Sequence, residues 1–464
     1  MLGTLVAAGA MLVAAGTGLL AAYSLKLAAA AVVGLIAVLA AIFRPVLVVL
    51  ILFLTVYPST LTLAGVSIQR LGGPLALLLA VTQLARGGVH FRRPTLTLAL
   101  VLAYAGLAAA SLSWTSSTSG TLDALASLGI SLAYMAAVAL VLKDSRELRP
   151  ILWAMTLWSA ALGAWWIFSY ARGESREFNA LGDPNFFAAL QVIAAPLAIA
   201  LIANTRGTAA RVILYGALAM IAGSIPASLS RGGMVAIVVV GILIAIVPAA
   251  YLFSSRAHKM RFFLAAGAMS VALLAIAGPT LSQRFEQALT DPSGAAGRGD
   301  LALAALHGFH DHPVTGMGFG AFAPNSFQLL RTSPGVFLDL HLRCLAQGSA
   351  VRAAGSFCQG QPVHNTYLES LVELGLPGVL LFSAILAVTG WSLIQTARMA
   401  RVANDPFTGS IATALVIGLL GFALVSTTLS TETNRTPWMI VALSLALPTM
   451  VGPARLWRTG EGKG

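Results

Sequence analysis

The chain has 464 residues, 58% of them hydrophobic and 9% charged, with a mean hydropathy of +0.86. A soluble domain carries about 25% charged residues, so this composition excludes an ordinary soluble protein and describes an integral membrane one. The formal charge of +12 raises nucleic acid as a partner, but most of the basic residues fall in short loops of one parity, which is the membrane pattern and argues against it.

Apolar runs of roughly 17–25 residues recur from end to end, each long enough to cross a bilayer as a helix. The first, at 5–23, has no basic leader and no convincing cleavage site before Lys26, and reads as a retained helix. Spans are expected at 3–23, 27–43, 45–63, 71–85, 95–113, 120–142, 150–170, 186–203, 212–229, 233–253, 262–280, 366–395, 408–429 and 437–452. That gives an all-α polytopic fold of about 12–14 transmembrane helices in a single membrane domain, 1–464. Ten-residue alternating strands are missing, which argues against a β-barrel.

The loops of one parity carry Arg44; Arg86, Arg92 and Arg93; Lys143, Arg146 and Arg149; Arg206 and Arg211; Arg256, Lys259 and Arg261; Arg398 and Arg401; and Arg455, Arg458 and Lys463. The positive-inside rule makes these loops cytoplasmic, and both termini with them.

The segment 281–363 breaks the rhythm. It is long, mixed in polarity, rich in Gly, Pro, Ser and His, and falls on the extracytoplasmic side. Asp300 to His307 has helical spacing, and Gly316-Met317-Gly318-Phe319-Gly320 reads as a tight turn, so a small helical cap is expected. Both cysteines, Cys344 and Cys358, lie here, and a disulfide between them is the preferred reading over two separate thiols. A zinc site is disfavoured, because His341 and His364 lack ligand spacing around them. His307, His310 and His312 read as loop-shaping rather than metal-binding, since Pro313 and the glycine turn break a shared face.

Four polar clusters lie at helix ends on that same side. They are Arg172 to Asn185, including Asp183-Pro184-Asn185; Ser230-Arg231-Gly232-Gly233; Gly297-Arg298-Gly299-Asp300 with His312-Pro313; and His364-Asn365. Arg231 occupies a turn at or near membrane depth, where an ionisable group either serves a cavity or snorkels to the interface. Guanidinium forks suit a diphosphate, gripping its oxygens in bidentate fashion and offsetting charge that builds on a leaving oxygen. Arg231 and Arg298 can supply this without metal. His364 can take a proton from an attacking hydroxyl, or can simply cap the helix that follows. Asn365 and Glu369 beside it can orient the ring or cap the same helix. Glu373 is expected to meet polar partners inside the bundle. Neither a paired-carboxylate metal site, a Walker A loop nor a dinucleotide fingerprint is present.

His364-Asn365, nine residues, Gly375, two residues and Gly378 resemble the signature of the O-antigen ligase and O-antigen polymerase superfamily. Asp183-Pro184-Asn185, Ser230-Arg231-Gly232, Gly297-Arg298 and the run His312 to Gly320 resemble family features in family order, over roughly 180–395. The resemblance implies a GT-C-like helical glycosyltransferase, inverting and independent of metal or other cofactors. The donor would be a polyprenyl-diphosphate-linked oligosaccharide, and the acceptor a glycan, glycolipid or protein. Arg231 and Arg298 would bind the diphosphate, His364 would activate the acceptor hydroxyl, and Asn185, Asn365 and Arg172 would join in substrate binding. The implied site is on the extracytoplasmic face of a bacterial plasma membrane. A polymerase joining lipid-linked repeat units needs the same residues as a ligase, and a flippase for such lipids remains the rival from another class.

Overall fold

The computed structural model describes residues 39–56, 62–63, 66–87, 96–172, 183–253, 255–264, 297–336 and 360–451, with a few isolated positions besides. The expected spans at 3–23 and 27–43, much of that at 262–280, both cysteines and most of 281–363 fall outside the described residues.

The described elements are helical apart from one short hairpin. In chain order they are α1 (Pro45–Thr55), β1 (Thr62–Leu63) paired antiparallel with β2 (Val66–Ser67), α2 (Ile68–Ala85), α3 (Leu96–Ala110), α4 (Thr118–Val141) and α5 (Ser145–Ala171). Then come α6 (Pro184–Ala203), α7 (Thr208–Ala227), α8 (Arg231–Ile246), the single turn α9 (Ala249–Leu252), α10 (Arg298–Asp311) and α11 (Phe322–Thr332). The chain closes with α12 (Thr366–Val402), α13 (Pro406–Val425) and α14 (Arg435–Met450). Among the described residues seven helices are long and apolar enough to cross a membrane, the longest being α12 with 37 residues. Rows of large apolar side chains on these helices and on the shorter α8, such as Leu102, Phe168, Val238, Ile242, Leu380 and Trp391, face outward. An apolar exterior of this kind is stable where the surrounding solvent is lipid.

The helix starts are written in the sequence. Asp183-Pro184 opens α6 and Asp405-Pro406 opens α13, with the aspartate capping the first turn and proline fixing its φ. Ser117, Asp144, Ser230, Asn365 and Asn434 cap α4, α5, α8, α12 and α14 in the same way. α6 is apolar on every face, and 89% of its membrane window is buried. A helix hydrophobic all round belongs at the centre, and α6 packs against α5, α7, α8 and α13. α12 packs against α3, α13 and α14, and its first turns carry α10 and α11 on their outer side.

The expected helix across Asp300–His307 is present within α10, which sits on α11 and α12 through Leu301, Ala304, Phe322, Val363 and Val372. The glycine turn is also present. Gly316, Gly318 and Gly320 all have positive φ (66°, 107° and 73°). A Cβ on Gly318 would run into Thr115, so the turn is both left-handed and too crowded for a side chain.

Candidate active site

Four helix starts, those of α6, α8, α10 and α12, meet at one end of the bundle. The Ser230 hydroxyl donates to Asn185 Oδ1 at 2.8 Å and accepts the Gly233 N–H at 3.2 Å. That pair ties the start of α6 to the start of α8 and delivers Arg231 as the first residue of α8. Asn185 is only 4% exposed, and its Oδ1 is engaged with a neighbouring helix. Arg298 opens α10 in the same position, straight after the left-handed Gly297 (φ 81°).

Arg298 lies within electrostatic reach of Arg231, Asp183 and His364, and Asp183 also reaches His364. Burial lowers the Arg298 pKa, the Arg231 charge lowers it further, and Asp183 opposes both. Burial also holds the His364 imidazole below its usual 6.5, assisted by Arg298 and opposed by Asp183. Neither arginine has an ion-pair partner among the described residues. The Asp183 carboxylate accepts from Asn185 N at 2.6 Å and Phe186 N at 3.3 Å, so it caps α6. Two half-buried guanidiniums held in each other's field favour an anionic ligand between them.

His364 itself has φ 56°, a left-handed conformation for a residue with a Cβ. Such a backbone costs on the order of 1–3 kcal/mol and persists only when its surroundings dictate it. Here they do, from both sides. Val363 is buried in the α10–α11–α12 contact, and its N–H bonds to the Glu369 carboxylate, which also accepts the Ser430 hydroxyl. Asn365 Oδ1 accepts from Tyr367 N (3.0 Å) and Leu368 N (3.1 Å), and Thr366 N donates to Leu429 O at 3.0 Å. Asn365 is therefore the cap of α12, one of the two roles open to it in the sequence. Arg172 ends α5 with its guanidinium 5.2 Å over the Phe168 ring.

The linker between α13 and α14 is a component that sequence reasoning missed. Thr428 packs against Gly232, next to Arg231, so closely that a Cβ there would overlap its hydroxyl. Thr431 bonds with Thr366, and Glu432 is buried, which raises its carboxyl above the ordinary value. The signal was available, since Ser426 to Thr436 is a nearly unbroken polar run between two apolar spans.

The spacing of the His364 signature has a structural cause. α12 breaks at Gly375 (φ 68°, ψ −166°), two residues before Pro377. Pro377 has no N–H to give Glu373 O, and Leu376 N turns away to Pro313 O at 3.0 Å. The two carbonyls this frees are taken up by the glycine turn: Met317 N donates to Val372 O and Gly318 N to Glu373 O, each at 2.9 Å. The Glu373 carboxylate accepts Gly320 N at 2.7 Å and Phe322 N at 3.1 Å, capping α11. A Cβ on Gly375 would collide with Val314 O. The other flank of the turn is stitched to the α3–α4 connection, where Ser116 N donates to Met317 O (2.9 Å) and Phe319 N to Ser111 Oγ (3.0 Å).

The molecule is thus a polytopic helical membrane protein with a partly buried cationic site at one end of its bundle. Residues 215–342, a little over a quarter of the chain, match the family model described as O-antigen ligase, which supports a place in the O-antigen ligase superfamily and a ligase or polymerase type of function. The match takes in Arg231, Arg298 and the glycine turn, and ends before His364. No curated protein matches the chain.

Proposed function

We propose that this chain is a glycosyltransferase of the ligase type, moving a saccharide from a polyprenyl-diphosphate carrier to an acceptor hydroxyl on the extracytoplasmic face. The observation that supports the reading is Arg298 lying in the field of both Arg231 and His364, with neither arginine ion-paired among the described residues and the imidazole pKa held below its usual 6.5. In the reaction the acceptor oxygen attacks the anomeric carbon from the face opposite the diphosphate. The new C–O bond forms as the old one breaks, the electron pair leaves with the diphosphate, and the hydroxyl proton passes to His364. Inversion follows from the single displacement. The arginines face the charge that grows on the leaving oxygen, where fixed cations are worth most. The site needs no metal for this role, because guanidinium supplies the positive charge.

The first two turns of α12 and the segment 297–336 form the wall through which the acceptor approaches, and the donor chain lies among the lipid-facing helices. The orientation rests on the basic loops, several of which lie at the far end of the bundle from Arg231. The test is incubation of purified protein with a labelled lipid-linked oligosaccharide and candidate acceptors in EDTA. One transfer per acceptor supports ligation, a ladder of repeat units makes it a polymerase, and strict Mg²⁺ dependence overturns the arginine role.

A further inference from the structure

The opposite end of the bundle holds a cavity of about 640 Å³ that the transfer chemistry does not use. α6 runs from Asn185 at the candidate active site to Ala203 at this cavity, and α13 runs the other way, from Pro406 at the cavity to the linker beside Arg231. At 1.5 Å per residue, either helix separates the two sites by about 30 Å. Three arginines line the cavity, Arg149, Arg206 and Arg211, against one carboxylate, Asp405.

That carboxylate is committed. Asp405 accepts the Thr408 N–H at 3.1 Å and the Thr408 hydroxyl at 2.7 Å, as the cap of α13. The arginines are positioned by uncharged partners: Arg149 donates to Asn204 O at 3.2 Å and lies 4.5 Å over the Phe407 ring, and Arg211 Nε donates to Thr205 O at 2.6 Å. None of the three has an ion-pair partner among the described residues. A loop that merely obeys the positive-inside rule needs no cavity, and its charges stand in water. Here Arg149 and Arg211 are held beside a concavity that the exposed Arg206 also borders.

A second, smaller crevice adjoins the first and shares Ala203, Arg211 and Phe253 with it. Its remaining walls are largely apolar: Ile199, Ile202, Tyr215 and Phe262, with His258 at the side. A cavity edged by arginines beside a shallow apolar crevice of about 30 Å³, on a membrane protein, matches an amphiphile with an anionic head. We infer that this end of the bundle is a binding site for a phosphate-bearing membrane lipid, with the phosphate between Arg206, Arg211 and Arg149 and a hydrocarbon chain lying along the apolar surface beside Phe253 and Phe262. The inference stands on these cavities and not on the transfer reaction.

Native mass spectrometry of the full-length protein released from nanodiscs tests it. Wild type, after delipidation, should take up one phosphatidylglycerol more tightly than phosphatidylcholine. The double variant Arg206→Ala/Arg211→Ala should lose this preference by about tenfold or more, at about 1 kcal/mol for each basic group near an anionic lipid surface. The charge-matched control Arg256→Ala/Arg261→Ala, which removes basic residues outside the cavity, should keep it. Substitution of Tyr215 or Phe262 by Asp should weaken phosphatidylglycerol while leaving binding of inorganic phosphate alone unchanged. Equal losses in the two double variants would reduce the effect to general surface charge and overturn the site. Inorganic phosphate that displaces the lipid at equal concentration would assign a soluble anion instead of a lipid. An unchanged melting temperature in the Arg206→Ala/Arg211→Ala protein secures the reading against misfolding.

Discussion

The two ends of the bundle both gather arginines, yet they hold them differently. At one end Arg231 and Arg298 each open a helix, the Arg231 charge helping to lower the Arg298 pKa, beside a histidine in a strained backbone. At the other, Arg149 and Arg211 lean on carbonyl oxygens or a ring, around an open cavity. Cations pressed together against their own repulsion are preorganised for an anion that passes through a transition state. Cations spread round a concavity suit a ligand that stays.

The largest effect expected from breaking the first end is at His364. His364→Ala should cut turnover by about 10²–10⁴-fold with donor binding nearly intact. Near-normal turnover would remove the histidine from the chemistry. Arg231→Ala and Arg298→Ala should each lower kcat/KM by roughly 10²–10³-fold, with weaker donor binding as well. Lysine should restore only part of this, because a point charge cannot reproduce the bidentate fork. At the far end, Arg206→Ala/Arg211→Ala should leave the transfer rate within about threefold of wild type, because sites this far apart act independently to within about 0.5 kcal/mol. A loss comparable to Arg231→Ala would merge the two ends into one functional unit.

Smaller changes sharpen the picture of how the site is held. Glu373→Ala would orphan the N–H groups of Gly320 and Phe322, at a cost of about 1–3 kcal/mol for each. It should show as a lower melting temperature before activity falls, and an unchanged melting temperature would deny the carboxylate its capping role. The smallest shift concerns pH. Because His364 titrates below its usual 6.5, the acid limb of kcat/KM should lie below pH 6.5. Asp183→Asn keeps the cap on α6 but removes the charge that raises this pKa, so the limb should move lower still. A limb that stays in place would take Asp183 out of the histidine's field.

The membrane class, the helix starts and the glycine turn were legible in the sequence, because composition, Asp-Pro caps and positive-φ glycines act locally. Arg231, Arg298 and His364 were legible as isolated polar residues at span ends, and folding brings them together. The resemblance makes Asn185 and Asn365 substrate contacts, and in the fold the oxygen of each also bonds internally: a side chain that can serve a ligand can equally serve a neighbouring helix, which tertiary structure alone reveals. The Thr428–Glu432 linker went unread because its importance comes from α13 and α14 returning it to the start of α12.

The seam between Gly375 and the glycine turn carries one more consequence, for biosynthesis. A break in a transmembrane helix leaves carbonyls that lipid cannot satisfy. Here their partners, Met317 and Gly318, precede Val372 and Glu373 in the chain, so they are synthesised first and already wait on the correct side when α12 is inserted. A chain that translocates 297–336 to the wrong side meets α12 without those donors and keeps two buried carbonyls unpaired. The helix that carries the histidine therefore becomes stable only in a molecule whose topology is already right.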